Sequence, residues 1–108
     1  MNPVEKALET FRQPPHMYNC AQTVCAAFGR TDLVDEMKAC GGGRAPEGMC
    51  GALYAATRLL PDKAAEMVEG FRAVNGATCC RDLKGANRVP CQECVRCAAT
   101  QVEKFSRA

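Results

Sequence analysis

Apolar residues recur along the chain at three- and four-residue intervals, and no sustained every-other-residue alternation replaces them, so the pattern predicts helices throughout. Val4, Ala7, Leu8 and Phe11 mark an amphipathic helix from Pro3 to Arg12 that Pro14-Pro15 stop. Asn19 is placed to cap a second helix, Cys20 to Phe28, which Gly29 ends. Thr31 is expected to cap a short third helix from Asp32 to Lys38, with Leu33, Val34 and Met37 inward. From Cys50 onward Leu53, Tyr54, Thr57 and Leu60 fall on one helical face, and Pro61 breaks that helix. Asp62 can cap its successor, Lys63 to about Val74, whose inward stripe is Ala64, Met67, Val68 and Phe71. After the Asn75-Gly76 turn signal a short helical turn starts near Thr78 or Cys79, and Pro90 opens a last helix with Val95, Ala98, Ala99, Val102 and Phe105 toward the core. Residues 13–18 and 84–90 read as loops. The expectation is one all-α domain over residues 1–108, a compact bundle of five or six short helices.

The cysteines follow the same pattern. Cys20, Cys50 and Cys91 each fall in the first turn of a helix on its core-facing side, and Cys80 stands where the short turn begins. A helix start presents unpaired N–H groups and a partial positive charge, which favour a thiolate and offer donors to its sulfur. Such a thiol suits a metal ligand or a reactive centre; a small buried hydrophobe is the plainer alternative. Cys25 sits on the flank of its helix's apolar stripe. Cys79 and Cys80 are adjacent and point different ways, so at most one faces the core. In the final helix Cys91 shares the core face, Cys94 lies roughly 100° from its centre, and Cys97 is expected to point away. Between Cys40 and Cys50 runs a loop with Gly41, Gly42 and Gly43, able to let a bulky inorganic group approach the main chain. No Gly-Lys-Ser/Thr follows it, so a phosphate cradle is not indicated. His16 is the sole histidine and lies in a loop, where solvation or capping is its ordinary role.

Composition narrows the chemistry. Nine cysteines in 108 residues approach the density of a disulfide scaffold. The odd number, and an opening Met1-Asn2-Pro3-Val4-Glu5-Lys6 without a basic and then apolar leader pattern, favour a reducing cytoplasm instead, where clustered cysteines mean metal or redox chemistry. A net charge of +2, with basic and acidic residues interspersed, gives no footprint for nucleic acid. No apolar run has membrane-spanning length.

Asn19-Cys20-Ala21-Gln22, Gly41-Gly42-Gly43 leading to Cys50-Gly51-Ala52, Cys80-Arg81-Asp82-Leu83, and Cys91 followed by Val95 and Ala98-Ala99 together resemble the C-GCAxxG-C-C family of redox-active bacterial proteins. The likeness runs from Tyr18 to near the C-terminus, with Ala55 where the family's box closes on glycine. It implies that the family's four cysteines are Cys20, Cys50, Cys80 and Cys91. It also implies a redox role beside oxidoreductases and a relation to the iron–sulfur domain of split-Soret cytochromes c. Cys25, Cys40, Cys79 and Cys94 are secondary ligand candidates, Cys97 is a further extra thiol, and no Cys-x-x-Cys-His for covalent haem occurs.

Four thiolates suit zinc or an iron–sulfur cluster. Structural zinc sites draw on closely spaced pairs, whereas Cys20, Cys50 and Cys80 stand thirty residues apart, which fits a cluster held between helices. Gly42, Gly43 and Gly51 would give room for its sulfides. The expected protein is a small iron–sulfur electron carrier or redox accessory rather than a stand-alone enzyme. It would serve a redox partner protein such as an oxidoreductase, with a homodimer compatible and no nucleic acid or membrane partner. The alternatives are a thiol–disulfide redox protein using Cys91 with Cys94, and a structural zinc-binding interaction module.

Overall fold

In the computed structural model the chain is described over residues 2–41, 44–85 and 87–106, and among these it forms seven α-helices and no strand. Helix α1, Pro3–Thr10, starts with proline in its first turn, and the Asn2 side chain accepts from Glu5 N at 2.8 Å. Helix α2, Cys20–Ala27, opens on a reciprocal cap. Asn19 Oδ1 accepts from Gln22 N at 2.8 Å, and Gln22 Oε1 accepts from Asn19 N at 3.1 Å. Helix α1 stops at Thr10, two residues short of the expected Arg12, which takes φ 57°, and Gly29 ends α2 as the sequence indicates, at φ 75°.

The third helix departs from expectation. Helix α3 is only Thr31–Val34, followed by a 3₁₀ turn over Glu36–Cys40. Thr31 lies inside the first turn instead of capping it, because Arg30 N already bonds back to Cys25 O and the Arg30 guanidinium pairs with Asp32. Helix α4 is Gly51–Leu59, with Cys50 at its N-cap. Asp62 falls within a 3₁₀ turn, Pro61–Lys63, so it does not cap helix α5, Ala64–Asn75. Gly76 closes α5 in the left-handed conformation at φ 82°. Helix α6 is Cys80–Lys84, and the loop expected from residue 84 begins one residue later. Helix α7 runs Cys91–Ser106. The short α3 and α6 take the number of helices above the five or six that periodicity resolves.

Helix α4 is the centre of the bundle, with α2, α5 and α7 packed around it, while α1 lies across α2 and α7. Its buried side is therefore Ala52, Leu53, Ala55, Ala56 and Leu59. This corrects the expected face, since Tyr54 and Thr57 are only half-buried. Small side chains on a helix surrounded by three others permit close backbone approach, so the alanines carry the packing there. Phe71, Met37, Leu53, Met67, Leu83, Val24 and Val95 fill the core. No helix among the described residues is long and apolar enough to cross a membrane.

Candidate functional site

Two loop contacts draw the starts of α4 and α6 together. Cys50 N donates to Thr78 O at 2.8 Å, and Met49 pairs with Cys79 in an isolated antiparallel bridge. A third contact brings in α2. A Cβ on Gly51 would stand 2.5 Å from Cys40 O and 2.9 Å from Cys20 Sγ, so only glycine lets the α2 and α4 starts meet. The Asn19 amide fixes the preceding segment by donating to Met37 O at 3.2 Å and Lys38 O at 3.0 Å.

The result is a partly enclosed cavity of about 70 Å³ edged by five cysteines: Cys20, Cys50, Cys80, Cys91 and Cys94. Gly51 and Asn19 border it on the α2–α4 side, Leu83 gives an apolar wall, and Arg12 and Lys84 supply two cations. Arg12 Nη2 lies 3.7 Å from Cys91 Sγ, and the Lys84 ammonium also donates to that sulfur.

Electrostatically the thiols are unlike one another. Burial, then the neighbouring Cys50 and Cys91 sulfurs, pushes Cys20 up to about 11, against N–H groups of Ala52 and Ala21 that favour its anion. Cys50 moves the other way despite its burial. The Cys94 thiol stands against Cys50 Sγ as a donor, and the backbone N–H groups of Ala52 and Leu53 at the α4 start assist, short of a formed capping bond. Cys94, as the donor, is held protonated well above the ordinary thiol range by that contact and by burial. Cys80 is raised by burial, with Lys84 opposing. The Lys84 ammonium is itself stabilised, chiefly by Cys91.

The four cysteines placed at helix starts and the secondary candidate Cys94 thus edge one cavity, beside Gly51. Gly42 and Gly43 lie outside the described residues. The other secondary candidates are elsewhere among the described residues. Cys25 is fully buried in the core between helices, not on a flank, and burial raises it to about 11. Cys79 lies 3.8 Å from Glu47 O, outside the cavity lining. Cys40 is half-buried and meets the site through its carbonyl oxygen. Cys97, expected to face outward, is half-buried against the core, within reach of Asn75 and Gln101. Helix α5 covers that side of α7, and Gly70 permits it, since a Cβ there would meet the Gln101 side chain at 2.5–2.9 Å. His16 is exposed and stacks on Tyr18 with ring centres 4.7 Å apart.

Arg12 and Lys84 are not found from sequence because they are two of fourteen basic residues, seventy-two positions apart, and no local signal marks either. All nine cysteines are free thiols. Among the described residues no group of three or more His, Cys, Asp or Glu is disposed to hold a metal ion as it stands. Comparison with protein families, with curated proteins and with solved structures yields no match. Fold and site together define a cysteine-rich all-α protein with a thiol-lined cavity.

Proposed function

We propose that the cavity holds one iron–sulfur cluster on Cys20, Cys50, Cys80 and Cys91, and that the chain acts in electron transfer or as a redox subunit of an oxidoreductase system. The observation that supports this best is the meeting of thiols from α2, the α4 start, α6 and α7 at one cavity. Sulfurs set around a void suit a cluster that spreads its bonds over more than one iron better than a single zinc ion, whose sulfurs must all stand about 2.3 Å from one point. The donor set also fits in charge: Lys84 and Arg12 offset thiolate charge, and the Ala52 N–H favours anionic sulfur at both Cys20 and Cys50.

A bound cluster would supply reversible one-electron chemistry. This chain's residues would hold it, exclude water with Leu83 and the α2–α4 contact, and tune its potential through N–H groups and the two cations. The motif likeness to the C-GCAxxG-C-C family supports the same four ligands. A carrier of this kind works with a redox partner protein in a reducing compartment, which the cytoplasm provides.

Purification without oxygen tests the proposal. Brown protein with iron and acid-labile sulfide is the expected result; colourless protein with zinc, or metal-free protein with titratable thiols, overturns it. Two variants then test the ligand assignment. Cys91→Ser should deplete iron and sulfide severely, whereas Cys97→Ser, under α5 and away from the cavity lining, should leave both near wild type. Cys94 can serve as a substitute ligand. Equal iron content in the Cys91 and Cys97 variants counts against the assignment.

A further inference from the structure

We propose that the mouth of the cavity is a docking face for a redox partner protein that presents an acidic surface. This rests on the reading of the cavity as a cluster site, since it names the kind of partner that would reach the cluster. Of the residues that line the cavity only Arg12 and Lys84 are exposed, and no carboxylate among the described residues lines it. The entrance is therefore edged by cations alone. Both reach the sulfur of Cys91, which like Cys80 is half-buried, whereas Cys50 and Cys94 are buried. A partner seated on Arg12 and Lys84 thus lies against a cavity thiol that solvent can reach.

The cations at the mouth lack the partners that neutralise others. Arg30, Arg58, Lys63, Arg72 and Arg96 each pair with a carboxylate. Among the described residues Arg12 and Lys84 stand in no such pair, so their charge is free to attract an anion from outside. From Cys80 to Cys91 the chain also carries Arg81, Lys84 and Arg88 against Asp82 alone. The loop after α6 folds back on that helix, with Asn87 N donating to Asp82 O at 3.2 Å and Val89 N to Leu83 O at 2.6 Å. The backbone of the exposed Arg88 is thereby held beside the α6 wall of the cavity. The nearby acid of α7, Glu93, is met by Arg96 at 3.2 Å. Arg12 and Arg88 both take left-handed backbone, at φ 57° and 51°, which costs free energy in a residue other than glycine and persists where the surroundings impose it. Charge of one sign at an entrance steers an oppositely charged protein and fixes its register more than it adds affinity, which suits a short-lived electron-transfer complex. With a net charge of only +2 on the whole chain, that attraction is local to the mouth.

Mixing the full chain with a flavodoxin, an acidic flavin protein, tests the proposal. A zero-length carbodiimide joins lysine amines to carboxylates, and the lysines of this chain are Lys6, Lys38, Lys63, Lys84 and Lys104. Links from Lys84 should dominate, and Kd should rise about tenfold as salt is raised from about 0.02 M to about 0.2 M. Arg88→Glu should weaken binding about tenfold. Lys63→Glu makes the same change in net charge beside Phe105, about 20 Å along α7 from Cys91, and should weaken it less than about twofold. Links dominated by another lysine, no binding at low salt, or equal loss in the two variants overturns the docking face. Iron and acid-labile sulfide measured in the same samples keep the two readings apart. Iron-free protein linked at Lys84 supports the docking face while standing against the cluster, and iron-bearing protein linked elsewhere overturns the docking face alone. The link map of the unmodified chain decides the matter even if a variant does not fold.

Discussion

Cys25 and Cys50 are chemically identical, and their surroundings push them in opposite directions. Cys50 has a thiol donor and a helix start beside it, and its anion is favoured; burial raises Cys25 to about 11 from 9.0, although the Arg30 and Arg58 guanidinium groups favour its anion. The folded state therefore keeps the Cys25 proton where the unfolded chain would release it. By linkage its contribution to stability is fully present below about pH 9 and is lost as pH rises through about 11. Each tenfold difference in proton affinity between folded and unfolded chain is worth about 1.4 kcal/mol, enough for melting curves to resolve. Thermal melts of reduced protein should fall over that window, and Cys25→Ala should flatten the fall even though it lowers stability at neutral pH. An unchanged alkaline slope in the variant would show that Cys25 does not carry it. Cys20, also raised to about 11, contributes in the same sense, so the flattening should be partial.

Among the elements, α2 and α4 set the site, and two residues make their meeting possible. Asn19 caps α2 and also ties the 3₁₀ turn before the glycine loop through its amide. Asn19→Ala removes a cap worth about 1 kcal/mol together with two further hydrogen bonds worth about 1 kcal/mol each, so a loss on the order of 2–3 kcal/mol should appear in denaturant melts. Gly51 and Gly70 make a sharper comparison, because both are helical glycines without space for a methyl group. At Gly51 the obstacle is the Cys40 backbone and a cavity sulfur; at Gly70 it is the far end of the Gln101 side chain. Gly51→Ala should destabilise by about 1–3 kcal/mol and displace Cys20. Gly70→Ala should be far milder, since Gln101 can turn aside and alanine gains up to about 1 kcal/mol of helix propensity. Unfolding midpoints of the two variants, read side by side, check the difference; a larger loss at Gly70 would show the Gln101 contact to be rigid.

For the whole molecule, the cavity lies where α2, α4, α6 and α7 meet, so whatever fills it couples the bundle together. A core in which alanine is the commonest residue, in a chain of 108 residues, has little apolar surplus. If a cluster binds there, its bonds to thiols on separate helices add to folding free energy. Stripping the metal anaerobically should then lower the melting temperature while far-ultraviolet circular dichroism stays helical at low temperature. An unchanged melting temperature after complete removal would show that the group does not bridge the helices.

The order of the main helices is legible in the sequence because each rests on local signals: the Asn19 cap, the prolines before α5 and α7, Gly76 after α5, and stripes at helical spacing. Local chemistry also places Cys20 and Cys91 at helix starts, through the Asn19 cap and Pro90, while Cys50 is placed by helical spacing and Cys80 only to within a residue or two of where the short turn begins. Sequence fails where a long-range neighbour decides the outcome. Periodicity misplaces the face of α4, because that helix is covered on several sides and the pattern finds only one apolar stripe. Spacing sends Cys97 to solvent because nothing near it in sequence announces that α5 lies over it. Helical angle alone makes Cys94 a secondary candidate, although the α4 start places Cys50 against it. Arg12 and Lys84 become rim cations only when α1 and α6 are folded onto the same end of α7. Sequence determines helix starts and stops because backbone hydrogen bonds and caps are satisfied within a few residues. Which thiols share a void, and which of them is favoured as an anion, depends on burial and on charges brought from distant segments, and only tertiary packing decides that.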